Sequence, residues 1–183
     1  MRVFLGLSFL AAMTLALAGG ASAADVRGTV AVPSVVWIND GSQAPARTLD
    51  MHNRDRQFVP GLIVVRTGQA VRFPNDDAFY HSIYSDSPSN PFDIGYYGTG
   101  PGKVIAFDHP GIVEVRCHIH FSMHGVIVVT EGPYTDGLVK SFDLQNVAPG
   151  THTLFVRDEK GDLKTKTLTI PAGPAKIDLG QVP

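Results

Sequence analysis

The sequence predicts an all-β sandwich, and three observations point to that fold class. Gly 19 and Pro 13 are high counts for a 183-residue chain and suit a protein with many turns. Short segments rich in Val, Ile, Thr and Phe recur between Gly, Pro, Asn and Asp, and no long window beyond the N-terminus has a helical period. The predicted strands, in order, are 28–32, 35–38, 62–65, 70–73, 81–85, 104–107, 112–117, 126–130, 140–144, 153–156, 164–170 and 176–179. Turn signals at 66–69 and 108–111 predict hairpin connections.

The N-terminus reads as a cleavable signal peptide over residues 1–23. Arg2 is followed by an apolar run over 3–18 and by the small-residue site Ala21-Ser22-Ala23, which predicts cleavage after Ala23. The run is shorter than the roughly 20 residues of a membrane span, so a membrane anchor is the weaker interpretation. The mature protein is therefore expected to be exported, into the periplasm in a bacterium. The formal net charge of -2 argues against a nucleic-acid partner.

The chain has a single cysteine, Cys117, so no intramolecular disulfide can form. A free thiol exposed in an oxidising compartment would be open to oxidation. Cys117 is therefore expected either to be buried and inert or to be held as a thiolate by a metal ion.

A metal site is indicated by the pattern Cys117-x-x-His120-x-x-Met123 at the end of the predicted strand 112–117. A second imidazole is needed to complete the site, and His81 is the candidate, with His52 and His109 as the competing histidines. Two imidazoles, one thiolate and a weak thioether form the donor set of a blue-copper electron-transfer site.

The segment around these residues resembles a cupredoxin, a blue copper protein of the plastocyanin and amicyanin kind. The resemblance covers about residues 55–130 and rests on three motifs: the turn Phe107-x-x-Pro110-Gly111, the segment 71–75 leading to His81, and the short Cys-x-x-His-x-x-Met loop, which is amicyanin-like. The segment also resembles bacterial plastocyanin-like proteins named for methylamine utilisation. The implied fold is a Greek-key β-sandwich.

The resemblance implies that His81, Cys117, His120 and Met123 bind one type 1 copper per chain. Ser82 stands where the family commonly has an asparagine that ties the ligand loops together. The implied function is electron transfer, without enzymatic turnover. The implied partners are periplasmic redox proteins, such as a cytochrome c or an amine or other dehydrogenase, docking near His120.

Two other functions stay open at this point. A copper oxidase or reductase would need a second copper, with His118 and His124 as the available histidines. A copper carrier or storage protein would bind the metal without passing electrons. Alternation along a strand predicts that His118 points away from the site of Cys117. Asp76 and Asp77 are interpreted as turn residues.

The chain is divided into a signal peptide (1–23), a cupredoxin domain (24–130) and a C-terminal β appendage (131–183). The boundary lies at the turn signal 131–133. The appendage weakly resembles carboxypeptidase-regulatory-like strand pairs. Two or three strands cannot bury a core alone, so the appendage is expected to pack on the first domain.

Overall fold

A computed structural model describes residues 23–42 and 47–183. The predicted signal peptide, apart from Ala23, lies outside the described residues. The described residues are all-β and contain no helix. The strands are β1 (Ala24–Asn39), β2 (Thr48–Asp50), β3 (His52–Arg54), β4 (Gln57–Val59), β5 (Leu62–Arg66), β6 (Gln69–Asn75), β7 (His81–Ser85), β8 (Phe92–Tyr97), β9 (Gly100–Phe107), β10 (Gly111–Cys117), β11 (His124–Thr130), β12 (Val139–Val147), β13 (Gly150–Asp158), β14 (Leu163–Ile170) and β15 (Ala175–Val182).

The strands form three sheets, which we call the front, central and C-terminal sheets. The front sheet has the order β2-β6-β3-β4, with β9 paired to β6. The central sheet has the order β5-β11-β10-β7-β8, and the C-terminal sheet β12-β1-β13-β14 with β15 paired to β1. Strands β5 and β11 run parallel, whereas β10 is antiparallel to both of its neighbours.

The main hydrophobic core lies between the front and central sheets and contains side chains such as Phe73, Phe107 and Ile127. Strand β10 shows why Cys117 belongs to this core. Its residues 113, 115 and 117 are buried, whereas residues 114 and 116 are not. Because side chains alternate along a strand, this pattern sends Cys117 between the two sheets.

The C-terminal sheet has a hydrophobic core of its own, formed by side chains from β1 and β12–β15. It also covers part of the outer face of the central sheet, where Val35 and Trp37 of β1 pack with Val64 and Val128. Trp37 stacks on Phe155, with ring centroids 5.0 Å apart. The sequence analysis assigns β1 to the cupredoxin domain (24–130), but β1 pairs with β12, β13 and β15 of the C-terminal segment. The domain division stays a prediction.

The two predicted hairpin connections are wrong. The turn after β5 leads to β6, and the turn after β9 leads to β10, and in both cases the two strands belong to different sheets. Crossing from one sheet to the other at these turns closes the sandwich around its core. The true hairpin that matters for the site joins β10 to β11 through residues 118–123.

Candidate metal centre

Three side chains from separate chain segments meet at one end of the sandwich. His81 is the first residue of β7, Cys117 is the last residue of β10, and His120 lies in the connection to β11. Strands β7 and β10 are antiparallel neighbours, with Cys117 opposite Ile83. The start of one strand is therefore held beside the end of the other, which brings His81 next to Cys117.

The ligand atoms of His81, Cys117 and His120 form a compact group that can hold a metal ion. Cys117 Sγ lies 3.8 Å from Nδ1 of His81 and 3.8 Å from Nδ1 of His120, and the two Nδ1 atoms are 3.2 Å apart. Bonds of about 2.0 Å to nitrogen and 2.3 Å to sulfur, as around zinc, would separate donors in a trigonal plane by about 3.5–3.7 Å. The observed spacing therefore fits one metal ion.

The connection that carries His120 is fixed by two backbone hydrogen bonds. The N–H of His118 donates to the carbonyl of Ser82 at 2.9 Å, and the N–H of Met123 donates to the carbonyl of His120 at 2.9 Å. The hydroxyl of Ser82 is buried without a hydrogen-bond partner among the described residues. A backbone hydrogen bond thus links the two ligand segments. Met123 is buried in the core beside this connection.

Asp77 is a residue of the site that the sequence analysis missed. Its Oδ2 lies 2.9 Å from Nε2 of His81, the ring nitrogen opposite the one that faces Cys117. Burial opposes ionisation of Asp77, but hydrogen bonds from the backbone N–H groups of Arg56 and Asp55 and from His81 outweigh it and lower the pKa of Asp77. The spacing of four residues between Asp77 and His81 was the available signal, because a short turn can fold the carboxylate back onto the ring.

An aromatic ring and a cation flank the two imidazoles. The Phe79 ring lies 5.4 Å from that of His81 and 5.3 Å from that of His120, and Arg56 sits over its face at 4.8 Å. Burial, with smaller contributions from His81 and Arg56, lowers the pKa of His120. A lowered pKa keeps the imidazole neutral near pH 7, which is the form that binds metals.

The competing histidines for the first ligand position lie elsewhere. His52, in β3, contacts Asp76 through Nδ1 at 2.9 Å. His109 is exposed in the turn before β10, where its carbonyl accepts a hydrogen bond from Asn90. Neither belongs to the group of close ligand atoms, which contains His81.

His118 and His124 lie on the outer face of the central sheet. Nε2 of His118 is 3.1 Å from Asp93, and its ring stacks on Tyr84 with centroids 3.9 Å apart. His124 contacts Glu114 instead. The two histidines thus pair with different carboxylates. In the part of the chain that the structure describes, the only group of three metal-binding side chains is that of His81, Cys117 and His120.

No family model matches the chain, and no curated protein matches it. Solved structures with a similar fold include a copper-containing nitrite reductase from Thermus scotoductus, which is 26% identical and matches over 49% of this chain and 24% of its own, with a TM-score of 0.43. This chain thus spans about a quarter of that enzyme.

Two smaller proteins show a similar likeness. A purple cupredoxin from Nitrosopumilus maritimus is 21% identical, and the match covers 47% of this chain and 100% of that protein, with a TM-score of 0.40. Amicyanin from Paracoccus versutus is 14% identical, with 50% of this chain and 90% of that protein covered and a TM-score of 0.40.

The described residues include no helix that is long and apolar enough to cross a membrane.

The front and central sheets enclose a common core. The end of β10, the start of β7 and the β10–β11 connection place one thiol and two imidazoles at the edge of this core. The described chain is therefore an all-β protein with a cupredoxin-like fold.

Proposed function

We propose that this protein is a periplasmic type 1 copper protein that carries single electrons between redox partners. One observation carries the proposal: Cys117 Sγ and the Nδ1 atoms of His81 and His120 converge within 3.8 Å of one another, at a largely buried point. A soft thiolate with two imidazoles is a donor set that suits copper. Met123, buried at the end of the same connection, would add a thioether as a fourth, weak ligand.

Bound copper would supply a Cu(I)/Cu(II) couple, and the protein's contribution is to hold the ligands in place. Cys117 and His81 are anchored on paired strands, and His120 is set by the turn that ends at Met123. Ligands on such supports move little when the charge of the site changes. Small rearrangement favours rapid electron exchange without bond making or breaking, so no substrate is required.

The proposed docking surface surrounds His120, which is only partly buried. Phe121 is 90% exposed and Tyr80 is 63% exposed, so large apolar side chains face solvent close to this ligand. An exposed apolar patch of this kind marks an interaction site. We expect a periplasmic redox protein, such as a cytochrome c or an amine or other dehydrogenase, to bind there through a small interface.

Export rests on the sequence of residues 1–23 and has a direct test. The full chain, expressed in a bacterium, should appear in the periplasmic fraction with Ala24 as its first residue. The intact mass of the purified protein identifies the residue after which the chain is cleaved. Retention of residues 1–23 in the membrane fraction would contradict the proposal.

The decisive test of function is the optical and EPR spectrum of the copper-loaded protein, together with its copper content. We expect one copper per chain and an intense thiolate-to-copper charge-transfer band. Cys117→Ser should abolish the band, whereas Ser122→Ala, at an exposed position in the same connection, should leave it unchanged. A colourless copper-loaded protein that does not respond to Cys117→Ser would refute the proposal.

The two alternatives make different predictions. An oxidase or reductase that used His118 and His124 would contain two coppers per chain, which elemental analysis would show. A carrier or storage protein would release Cu(I) readily to a chelator and give no reversible voltammetric wave. His118 pairs with Asp93 and His124 pairs with Glu114, so these contacts give no support to an oxidase or reductase site built from the two histidines.

A further inference from the structure

We propose that Asp77 is a positioning residue of the metal centre: its carboxylate orients the His81 ring toward Cys117 and ties the β3–β4 turn to that ring. The inference rests on the proposed copper function, since it assigns Asp77 a role toward that metal. In the sequence, the only signals of this role are the pair of aspartates in a loop and the four-residue spacing between Asp77 and His81.

The contact to His81 fixes which ring nitrogen carries the proton. Asp77 Oδ2 lies 2.9 Å from Nε2 of His81, and the His81 side chain is 0% exposed while that of Asp77 is 8% exposed. A carboxylate only accepts hydrogen bonds, so Nε2 must be the donor. The other nitrogen, Nδ1, then presents a lone pair toward Cys117 and His120, as a metal ligand requires.

The same carboxylate holds the turn between β3 and β4. Oδ1 accepts a hydrogen bond from the N–H of Asp55 at 2.7 Å, and Oδ2 accepts one from the N–H of Arg56 at 3.2 Å. Both turn residues have left-handed backbone angles, with φ of 52° and 56°, although neither is glycine. Side chains disfavour this conformation, so the turn depends on contacts such as these. Asp77 therefore couples the position of Arg56, over Phe79, to the position of His81.

The charge of Asp77 also acts on the metal. A negative charge held out of water next to a ligand ring stabilises the more positive metal ion. Asp77 is thus expected to favour Cu(II) over Cu(I). An asparagine at this position would keep the shape but lose the charge, and it offers one acceptor oxygen to three N–H donors.

The first measurement needs no metal. In the copper-free protein, ¹H–¹⁵N long-range correlation spectra of the histidine rings should show His81 protonated at Nε2 and unprotonated at Nδ1. Asp77→Asn should shift the Nε2–H resonance upfield, because a charged acceptor is replaced by a neutral one. Asp76→Asn is the matched control: Asp76 is the neighbouring aspartate, it pairs with His52 and Arg54, and it should leave the His81 resonances unchanged.

The second measurement compares Cu(II) and Cu(I) affinity by chelator competition. Replacing an outer-shell partner of a ligand costs roughly 10–100-fold in metal affinity. We expect Asp77→Asn to weaken Cu(II) binding by that factor and Cu(I) binding by less, while Asp76→Asn stays within about twofold of the wild type.

The outcomes separate this inference from the proposed function. Protonation of His81 at Nδ1 in the wild type would overturn the positioning role. So would a variant Asp77→Asn that binds both copper ions as the Asp76→Asn control does. If neither the wild type nor any variant bound copper, the proposed function would fail. The ring spectra of the copper-free protein would still decide the role of Asp77.

Discussion

Replacing Trp37 by alanine tests how firmly the C-terminal sheet is bound to the central sheet. Trp37 is the only tryptophan, is 4% exposed and stacks on Phe155 with an interplanar angle of 6°. It belongs to the cluster in which β1 meets Val64 and Val128 of the central sheet. The substitution removes the largest side chain of this contact and leaves a cavity that the flanking sheets cannot fill without shifting.

The expected loss of stability follows from that burial. Truncating a buried aromatic side chain to alanine costs about 3–5 kcal/mol, a range that includes the stacking interaction of about 0.5–1.5 kcal/mol. For a loss of about 4 kcal/mol and a urea m-value of about 2 kcal/mol per molar, the unfolding midpoint falls by about 2 M.

The assay is urea unfolding of the mature, copper-free protein followed by far-UV circular dichroism, because the substitution removes the only indole. Tyr96→Ala is the control: Tyr96 is an exposed aromatic of β8, and its removal should change stability by less than about 0.5 kcal/mol. A loss below about 1 kcal/mol for Trp37→Ala would refute the packing argument, since it would mean that the two sheets do not bury this ring.

The remaining predictions concern the site and its surroundings. Met123→Leu should keep copper bound and should raise the reduction potential, because a weak donor to Cu(II) is lost. The substitution should change stability by less than about 1.5 kcal/mol. A lowered potential in a redox titration would contradict the role of Met123 as a ligand. His118→Ala should leave one copper per chain and lower stability by less than about 1 kcal/mol, because its contact with Asp93 is exposed. Loss of copper, measured by elemental analysis, would overturn the ligand assignment. Burial raises the pKa of Tyr97 despite the hydrogen bond from Asn53, so the unfolded chain ionises first and stability should fall as pH rises above about 10. Tyr97→Phe should lessen this fall in stability, measured by urea titrations at alkaline pH, whereas Tyr96→Phe should not. If the two variants lost stability equally with pH, burial of Tyr97 would not be the cause.

The sequence was most informative where the chemistry is local. Cys117 and His120 are three residues apart at the end of an alternating strand, so spacing alone indicates that they can share a ligand site. His81 comes from a distant strand, so spacing alone left His52 and His109 as competitors, and the resemblance to cupredoxins favoured His81. The structure brings the ligand atoms of these three residues together.

Strands that depend on pairing with distant segments could not be predicted from the sequence. Strands β2, β3 and β4 are three residues long and largely polar, so their hydrophobic pattern is too short to detect. Strand β8 contains Gly95 with a φ of 66°, which interrupts the alternation that would have revealed it. The sequence also predicts two segments, 28–32 and 35–38, around Pro33, whereas β1 runs through the proline with a register shift against β12.

Asp77 was missed for a different physical reason. Two adjacent aspartates in a loop are usually solvated, and the sequence does not show that one of them turns inward. Asn75 causes that inward turn: its Oδ1 accepts the N–H of Asp77, and its Nδ2 donates to the carbonyl of Phe79. An asparagine that satisfies the backbone of its own loop replaces water there, so the next carboxylate can be buried against His81.

Each of the three sheets supports a different part of the site. The central sheet supplies His81 and Cys117, the turn between β3 and β4 of the front sheet is bound to Asp77, and the C-terminal sheet packs on the outer face of the central sheet. Moving any one ligand would therefore break backbone hydrogen bonds or open a packed core, both of which cost free energy. Ligand positions fixed in this way do not depend on the charge of a bound ion, which is the property that an electron carrier needs and a site that releases its metal does not.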